Sequence, residues 1–598
     1  MKLLLLLACG AAYAADDFEK IHPKSTAELS QEIQKVLDKH KTKAAAIALV
    51  NRDGVFWTST PGAAAATRFR IGSITKSFVA LSVLRLVEQG KLTLDAKYRD
   101  LAPEIPFENP WESTDPVRIV HLLEHTAGFD DFRLAEYAHS DPKPATLQEG
   151  LLFQPQSRTS RWRPGTRFSY CNSGPPMVAF VVEKLTGQRF EDYVQKEFFD
   201  PIGMPGATFF EPKSDFAGTY IDGKAQAYWH VIERPAGSVN ATAQDMGNYV
   251  RFFLQRGSVN GKPLVSASSM ERMETPATSL TAREAGLKAG YSLNNYTHVV
   301  EGFEFHGHNG GVNGGLAELA YAPELGIGYA FMINTGEGAA LNEISRLIVR
   351  FMTRDLAKPA VPAASTASQQ LSGTYLLQPA SPRTQLLYPL ERILGLMRAQ
   401  ASGSELTLSA VFSRGPGTKF IHVGGNRYRE EKSPVAEMAL VHDEGEIALQ
   451  GGFQGSFHVI PAWKGWLQAI CAGGFSLSVV LTLLLAPIWV YRWVKGSIRT
   501  WAMPGRLLAA ASVLVLVVSS FVAQGPGNDF EMLGVLGKAS AWSVGFLLLT
   551  LLFTLLTVIA FVARQAGGFV SRWASRFLLI GMLYFGWWGW IGIRTWNY

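Results

Sequence analysis

The sequence predicts an α/β domain, an antiparallel sheet flanked by helices with a helical insertion, followed by a small antiparallel β domain and four transmembrane helices. Three observations lead to this prediction. Strand-like segments stand at both ends of the region before about residue 350, with helical patterns between them. Short alternating strands follow, and then four long apolar runs. A chain of 598 residues is also too long for one hydrophobic core.

The first residues, 1–14, have the features of a secretory signal peptide. A lysine precedes a short leucine run, and Ala-Tyr-Ala at 12–14 gives a small-residue cleavage site. Three cysteines in separate parts of the chain predict no disulfide framework: Cys9, Cys171 and Cys471.

The α/β domain is expected over residues 16–355. AAAIALV and VFWTST, joined by the turn NRDG, predict a hairpin over 44–60. Two more strands are predicted at 316–322 and 326–336, before a helix that runs through Arg350. Because these strands come from the two ends of the domain, they predict one sheet that encloses a helical insertion.

Two segments of different composition come next. Residues 356–370 are rich in proline, alanine and serine and predict a linker. Residues 371–463 contain short alternating strands and predict the small antiparallel β domain.

The remaining residues, 466–598, predict a four-helix membrane domain. Lysine and arginine concentrate in the two loops that would face the cytoplasm, which agrees with an exported N-terminus. We therefore expect a lipid bilayer as a partner, a multi-pass location in the inner membrane, and a periplasmic catalytic domain. The formal charge of +6 is scattered, which does not indicate nucleic-acid binding. The four predicted spans are 466–490, 507–524, 541–563 and 577–595.

A serine and a lysine three residues apart, Ser73 and Lys76, begin an apolar run that ends at Gly90. This run predicts a buried helix with both side chains on one face of its first turn, where the helix dipole favours an oxyanion. A desolvated lysine there can accept the serine proton. S-x-x-K alone is weak, because Ser140 and Lys143 form a second copy. The alternative is an N-capping serine beside a snorkelling lysine.

Two further clusters can complete such a site. Tyr170 and Asn172 lie two apart before an apolar helix, where a phenol can relay a proton and a carboxamide can hold a substrate carbonyl. The glycine-rich stretch 304–315 contains His308 and can expose backbone amides. Taken singly, the two clusters are more typical of a capped turn and a glycine-rich turn.

S-x-x-K, Y-x-N and H-x-G follow in that order, and the chain thereby resembles the serine β-lactamase-like hydrolases. These include class C β-lactamases, D-Ala-D-Ala carboxypeptidases, esterases and D-aminopeptidases. The resemblance covers about residues 28–352 and extends to VRIVHLLEHTAGF and PAGSVNATAQDM. It implies their fold, an acyl-enzyme mechanism and no cofactor or metal. The β domain resembles the lipocalin-like modules of some relatives.

The resemblance implies a role for each matching residue. Ser73 matches the acylated nucleophile and Lys76 its base partner. Tyr170 matches the residue that carries the proton to the leaving group, although either it or Lys76 can be the acylation base. His308 stands where β-lactamases and carboxypeptidases usually have a lysine. The substrate-binding positions are Asn172, Asn309, Gly310 and Gly311, and the last adds its N–H to an oxyanion hole.

A histidine at position 308 removes a permanent cation that would hold a substrate carboxylate. This favours small esters, or amides and peptides of the D-amino-acid type, over penicillins. Cell-wall fragments are among the candidate substrates. The alternative is penicillin-binding, β-lactamase or D-Ala-D-Ala carboxypeptidase activity.

Two other classes of protein remain open. His121, Glu124 and His125 spell H-x-x-E-H, which can bind zinc in a metalloprotease. The same histidines also match a structural helix and turn of the resembled family. A non-catalytic sensor of peptidoglycan or β-lactams is the second class, although it would not need the complete S-x-x-K, Y-x-N and H-x-G set.

Overall fold

The fold was analysed in a computed structural model of the chain. It describes residues 18–132, 137–139, 143–153, 155–365, 373–379, 395–412, 415, 417–452, 455–496, 508, 510–515, 518, 541–562, 576 and 579. The predicted signal peptide, 1–14, lies outside these residues.

A six-stranded antiparallel sheet forms the centre of the first domain. Its spatial order is β3-β4-β5-β6-β1-β2, so the strands from the C-terminal part lie beside the N-terminal hairpin. This confirms the predicted sheet built from the two ends of the domain. The strands are β1 (Ala45–Asn51), β2 (Gly54–Ser59), β3 (Tyr296–Val300), β4 (Phe303–Val312), β5 (Gly315–Ala322) and β6 (Ile327–Ile333).

Helices cover both faces of the sheet, which is why β1 is buried along nearly its whole length. Ala45, Ile47 and Leu49 pack towards the two terminal helices, and the alternate residues of β1 pack towards the insertion. The terminal helices are α1 (Thr26–Lys39) and α5 (Gly338–Met352), and the longer helices between them are α2 (Lys76–Glu88), α3 (Gly174–Thr186) and α4 (Ala243–Leu254). Shorter helices are Tyr98–Leu101, Ile119–Leu123, Leu147–Phe153, Phe190–Val194, Asp200–Ile202, Ala267–Glu274 and Leu280–Ala285.

Helix α2 is the central helix that its composition predicts. Ten of its residues are buried, among them Lys76, Ser77 and Ser82. Its polar groups are satisfied inside the core, since the Ser77 hydroxyl bonds to Tyr249 and that of Ser82 to the Phe78 carbonyl. The buried serine side chains of α2 therefore form hydrogen bonds within the domain.

The small β domain is a closed barrel of eight antiparallel strands. Leu377, Phe420 and Leu449 belong to its apolar interior, and β7 pairs with β14 to close it. The strands are β7 (Gly373–Pro379), β8 (Met397–Ser402), β9 (Glu405–Ala410), β10 (Thr418–His422), β11 (Arg427–Glu430), β12 (Met438–Asp443), β13 (Glu446–Gly451) and β14 (Ser456–Ile460).

The barrel packs against the α/β domain through small residues and one buried ion pair. Leu280 of the helix Leu280–Ala285 packs with Ala439 and Val441 of β12. Arg167, in the loop before α3, pairs with Asp443 at the end of β12, and both side chains are at least nine-tenths buried. The barrel thus contacts the loop that carries Tyr170.

The predicted membrane domain is wrong. In the part of the chain that the structure describes, no helix combines the length and apolar character that a membrane crossing needs. The prediction rested on the length and composition of each apolar run in the sequence. Two described helices, α6 (Ala462–Val494) and α7 (Ala541–Val562), overlap the first and third runs, and Pro487 lies inside α6. The second and fourth runs lie almost entirely outside the described residues.

Two other expectations rested on these four spans. The same finding contradicts the multi-pass location in the inner membrane. It also removes the support for a lipid bilayer as a partner.

Candidate active site

Ser73 lies in a short 3₁₀ turn, Gly72–Thr75, that directly precedes α2. The prediction placed Ser73 in the first turn of the α-helix itself, whereas the α-helix begins at Lys76. Gly72 has φ 52°, a left-handed conformation that glycine adopts without a Cβ clash. This turn leaves Ser73 partly exposed while the residues on both sides are buried.

Lys76 is fully buried and points at the serine. Its Nζ donates to Ser73 Oγ at 2.9 Å and to the carbonyl of Ala236. Burial lowers the pKa of Lys76 to about 7, and the charge of Asp131 opposes this shift. A large fraction of Lys76 is therefore neutral near pH 7 and able to accept the serine proton.

Tyr170 lies beside both groups. Lys76 Nζ is 5.2 Å from the centroid of the Tyr170 ring. The Tyr170 hydroxyl is buried and has no hydrogen bond of regular geometry to any described residue, yet its contact with Ser73 offsets part of the rise that burial causes in its pKa. A protonated phenol at this place can pass a proton between Ser73 and a leaving group.

Asn172 is oriented by a buried carboxylate. The Asn172 side-chain nitrogen donates to Asp131 Oδ1 at 2.9 Å and to the Tyr137 hydroxyl at 3.0 Å. Because both amide hydrogens are used in this way, the carbonyl oxygen of Asn172 is left to accept a hydrogen bond. Asp131 Oδ1 also accepts the backbone N–H groups of Asn172 and Phe132.

His308 is 3% exposed and its two ring nitrogens are both engaged. Nε2 lies 2.8 Å from the Tyr291 hydroxyl, and Nδ1 contacts the carbonyl of Asn309. Burial lowers the pKa of His308 to about 3, and the charge of Lys76 acts in the same direction. His308 is therefore a neutral buried group.

The strand with His308 crosses directly over the Ser73 turn. A Cβ on Gly72 would lie 2.6 Å from the Gly311 nitrogen, and a Cβ on Gly310 would collide with the Ile71 carbonyl. Only glycine permits this approach, and it brings the backbone amides of Ser73 and Gly311 close to each other. Asn309 and Gly311 are exposed at the edge of β4.

The H-x-x-E-H segment does not form a metal centre in the described part of the chain. There, no three His, Cys, Asp or Glu side chains are grouped as metal ligands. Glu124 instead accepts hydrogen bonds from Arg272 and Thr278, while His121 accepts the backbone N–H of Arg118. His125 faces Tyr170, with 4.3 Å between the ring centroids.

The site also contains residues that the sequence analysis did not assign to it: Asp131, Tyr137, His125 and Tyr291. The segment HTAGF was a signal for two of them, since it begins with His125 and directly precedes Asp130 and Asp131. Tyr291 had no local signal, because it meets His125 across a separation of 166 residues.

A buried lysine in hydrogen-bond contact with a serine, with a tyrosine beside both, is an arrangement found in a class of serine hydrolases. Residues 29–350 match the family model described as Beta-lactamase, which is more than half of the chain. The protein therefore belongs to the beta-lactamase family, which confirms the resemblance read from its three motifs.

Curated relatives include a penicillin-binding protein and an esterase. Penicillin-binding protein 4 of Amycolatopsis lactamdurans is 27% identical over 281 residues, 45% of this chain and 72% of that protein. Esterase EstB of Burkholderia gladioli is 33% identical over 171 residues, 27% of this chain and 43% of that protein.

A solved structure, the octameric penicillin-binding protein homologue from Pyrococcus abyssi, aligns at 20% identity with a TM-score of 0.47. The alignment covers 73% of this chain and all of that one.

Proposed function

We propose that this serine hydrolase cleaves esters, or amides and peptides that need no free carboxylate, through an acyl-enzyme on Ser73. The observation that carries the proposal is the 2.9 Å contact between Ser73 Oγ, which is partly exposed, and the Nζ of the fully buried Lys76. In the roles proposed here, neutral Lys76 accepts the serine proton and Tyr170 transfers a proton to the leaving group. The N–H groups of Ser73 and Gly311 bind the oxyanion.

The substrate class follows from the charges that line the site. Where class C β-lactamases and carboxypeptidases usually have a lysine, this chain has His308, which burial keeps neutral. Asp131, which accepts N–H groups and donates none, places a carboxylate near Lys76 and Asn172. A substrate carboxylate would meet an anion here, whereas an ester, an amide or a free amino group would not be repelled.

Penicillin-binding or β-lactamase activity is the second candidate. It is favoured by the similarity to penicillin-binding protein 4, which covers more of the two chains than the similarity to the esterase. The two candidates share the nucleophile and differ in the substrate that Ser73 accepts.

The test has two parts and uses the full chain. A fluorophosphonate probe should label Ser73, as mapped by mass spectrometry, and Ser73→Ala should remove the label; labelling elsewhere would refute the nucleophile. The values of kcat/KM should then be higher for p-nitrophenyl esters and amino-acid amides than for nitrocefin or a D-Ala-D-Ala peptide. A tenfold preference for either of the last two would select the second candidate.

A further inference from the structure

The cleft contains a chain of hydrogen bonds that the proposed reaction does not use. The Cys171 backbone N–H donates to His125 Nδ1 at 3.2 Å, and His125 Nε2 lies 3.0 Å from the Tyr291 hydroxyl. The Tyr291 hydroxyl lies 2.8 Å from His308 Nε2. His308 Nδ1 contacts the Asn309 carbonyl. The chain therefore joins the loop of Tyr170 to the strand of Gly311.

Two backbone groups fix the direction of this chain. An amide N–H can only donate, so His125 Nδ1 is an acceptor and its proton is on Nε2. A carbonyl can only accept, so His308 has its proton on Nδ1 and accepts at Nε2. Tyr291 must then accept from His125 and donate to His308. Both ends require the same direction, and both histidines are neutral.

The backbone of Tyr291 is held by the barrel. The Tyr291 N–H donates to the Gly452 carbonyl at 2.9 Å. Gly452 lies just after β13, and a Cβ there would collide with the Ala289 carbonyl and lie 2.6 Å from the Gly290 Cα. The barrel and the segment before Tyr291 therefore touch backbone to backbone.

We infer that Tyr291 is a positioning residue through which the barrel supports the active site. It holds the Tyr170 loop and the β4 strand at a fixed separation on either side of Ser73, and its hydroxyl donates to His308 Nε2. Only the expected fall in kcat rests on the proposed function, that is, on the chemistry at Ser73. The hydrogen-bond direction and the backbone contact with Gly452 do not depend on it.

Tyr291→Phe tests the hydroxyl, because it keeps the ring and removes only the bridging O–H. We expect kcat for the ester to fall about tenfold or more while KM changes less than about threefold, since substrate contacts remain. Tyr98→Phe is the matched control, a buried tyrosine whose hydroxyl has no hydrogen bond to a described residue. It should retain the activity of the wild type.

Nitrogen-15 NMR of the histidines gives a readout that a merely structural role would not change. In the wild type, His308 should stay in the Nδ1–H tautomer between pH 7.5 and 5. In Tyr291→Phe the tautomer should persist, because burial still keeps His308 neutral, but the signal of the unprotonated Nε2 should move downfield, since Nε2 loses the hydrogen bond from Tyr291. The titratable groups near His308 are Lys76, His125, His298, Tyr170, Tyr291 and Tyr296.

Gly452→Ala tests the barrel contact without changing any side chain of the cleft. We expect the same fall in kcat and the same change in the His308 signal as in Tyr291→Phe. Gly417→Ala is the matched control, since its Cβ would meet the Leu408 carbonyl at 2.6 Å inside the barrel. It should leave kcat and the His308 signal unchanged.

Wild-type kcat together with an unchanged His308 Nε2 signal in Tyr291→Phe would overturn the inference. Equal effects of Gly417→Ala and Gly452→Ala would overturn the role of the barrel. If Ser73→Ala were still labelled, the nucleophile would be refuted while the NMR result remained decisive for the hydrogen-bond chain.

Discussion

Asp131 accepts hydrogen bonds from both the backbone nitrogen and the side-chain nitrogen of Asn172. Asp131 Oδ1 lies 2.8 Å from the Asn172 backbone nitrogen and 2.9 Å from its side-chain nitrogen. Burial raises the pKa of the Asp131 carboxyl, and these N–H groups together with the charge of Lys76 oppose that rise. One carboxylate therefore orients the Asn172 side chain and acts on the charge of Lys76.

Asp131→Asn should shift the acid limb of the kcat/KM profile to lower pH. The carboxylate raises the pKa of Lys76, so its removal should lower that pKa and keep the lysine neutral in more acidic solution. We expect a shift of about one pH unit, which corresponds to about 1.4 kcal/mol. Asp53→Asn, in the exposed turn between β1 and β2, is the control and should leave the profile in place. A shift to higher pH in Asp131→Asn would contradict this account.

The rate of Ser73 labelling in the wild type should rise with pH through about 7. Below the pKa of Lys76 the ammonium form cannot accept the serine proton, so the rate should fall about tenfold per pH unit. Above it the rate should level off. Lys76→Met should lower the rate by about a hundredfold or more and remove this dependence. A labelling rate that is constant between pH 5.5 and 8.5 would exclude Lys76 as the base.

Local sequence was sufficient to find the residues that lie next to one another in the chain. Ser73 and Lys76 share one turn, and the glycines after His308 permit the close approach that their number suggested. The roles of Asp131, Tyr291 and Gly452 depend on contacts between distant segments, which periodicity and spacing do not encode. The predicted membrane spans rested on the apolar composition of four runs, and no helix in the described part of the chain has the length and apolar character that a crossing needs.

Gly310→Ala should damage both the fold and the site. The added Cβ would collide with the Ile71 carbonyl and lie 3.1 Å from the Ser73 nitrogen, so β4 must move away from the nucleophile. We expect a loss of about 1–3 kcal/mol in the free energy of unfolding and a strong fall in Ser73 labelling. Gly311→Ala is the matched variant for stability, since its Cβ meets only Leu316 at 3.5 Å. Equal melting temperatures for the two variants would contradict the close approach at Gly310.

The free energy of unfolding should fall as the pH falls below about 6.5. Burial is the main cause that lowers the pKa of His121 and His298 to about 4 and that of His308 to about 3. The unfolded chain binds protons at these histidines below about 6.5 while the folded chain does not, so acid favours unfolding down to about pH 3.

At pH 5 we expect a loss of about 1–2 kcal/mol for each of these three histidines, measured by urea unfolding at pH 7 and pH 5. His298→Phe should reduce the pH dependence of the free energy of unfolding. The control His442→Asn, at an exposed position, should not reduce it. A free energy of unfolding that is equal at pH 7 and pH 5 would contradict the buried neutral state.

Arg167→Ala should weaken the contact between the barrel and the loop that carries Tyr170. Arg167 pairs with Asp443, whose side chain is 2% exposed, and it lies three residues before Tyr170. Removal of the arginine leaves a buried carboxylate without its cation, which costs about 3–5 kcal/mol. Gln450, whose Nε2 lies 3.1 Å from Asp443 Oδ2, and His458, whose Nε2 lies 3.6 Å from the same oxygen, can compensate for part of this cost. We therefore expect a lower free energy of unfolding and, because the loop of Tyr170 loses its contact, a slower labelling of Ser73.

The double variant Arg167→Ala/Asp443→Ala removes both charges and should recover part of the stability. Strictly additive losses in this double-mutant cycle would show that the pair does not couple the two domains.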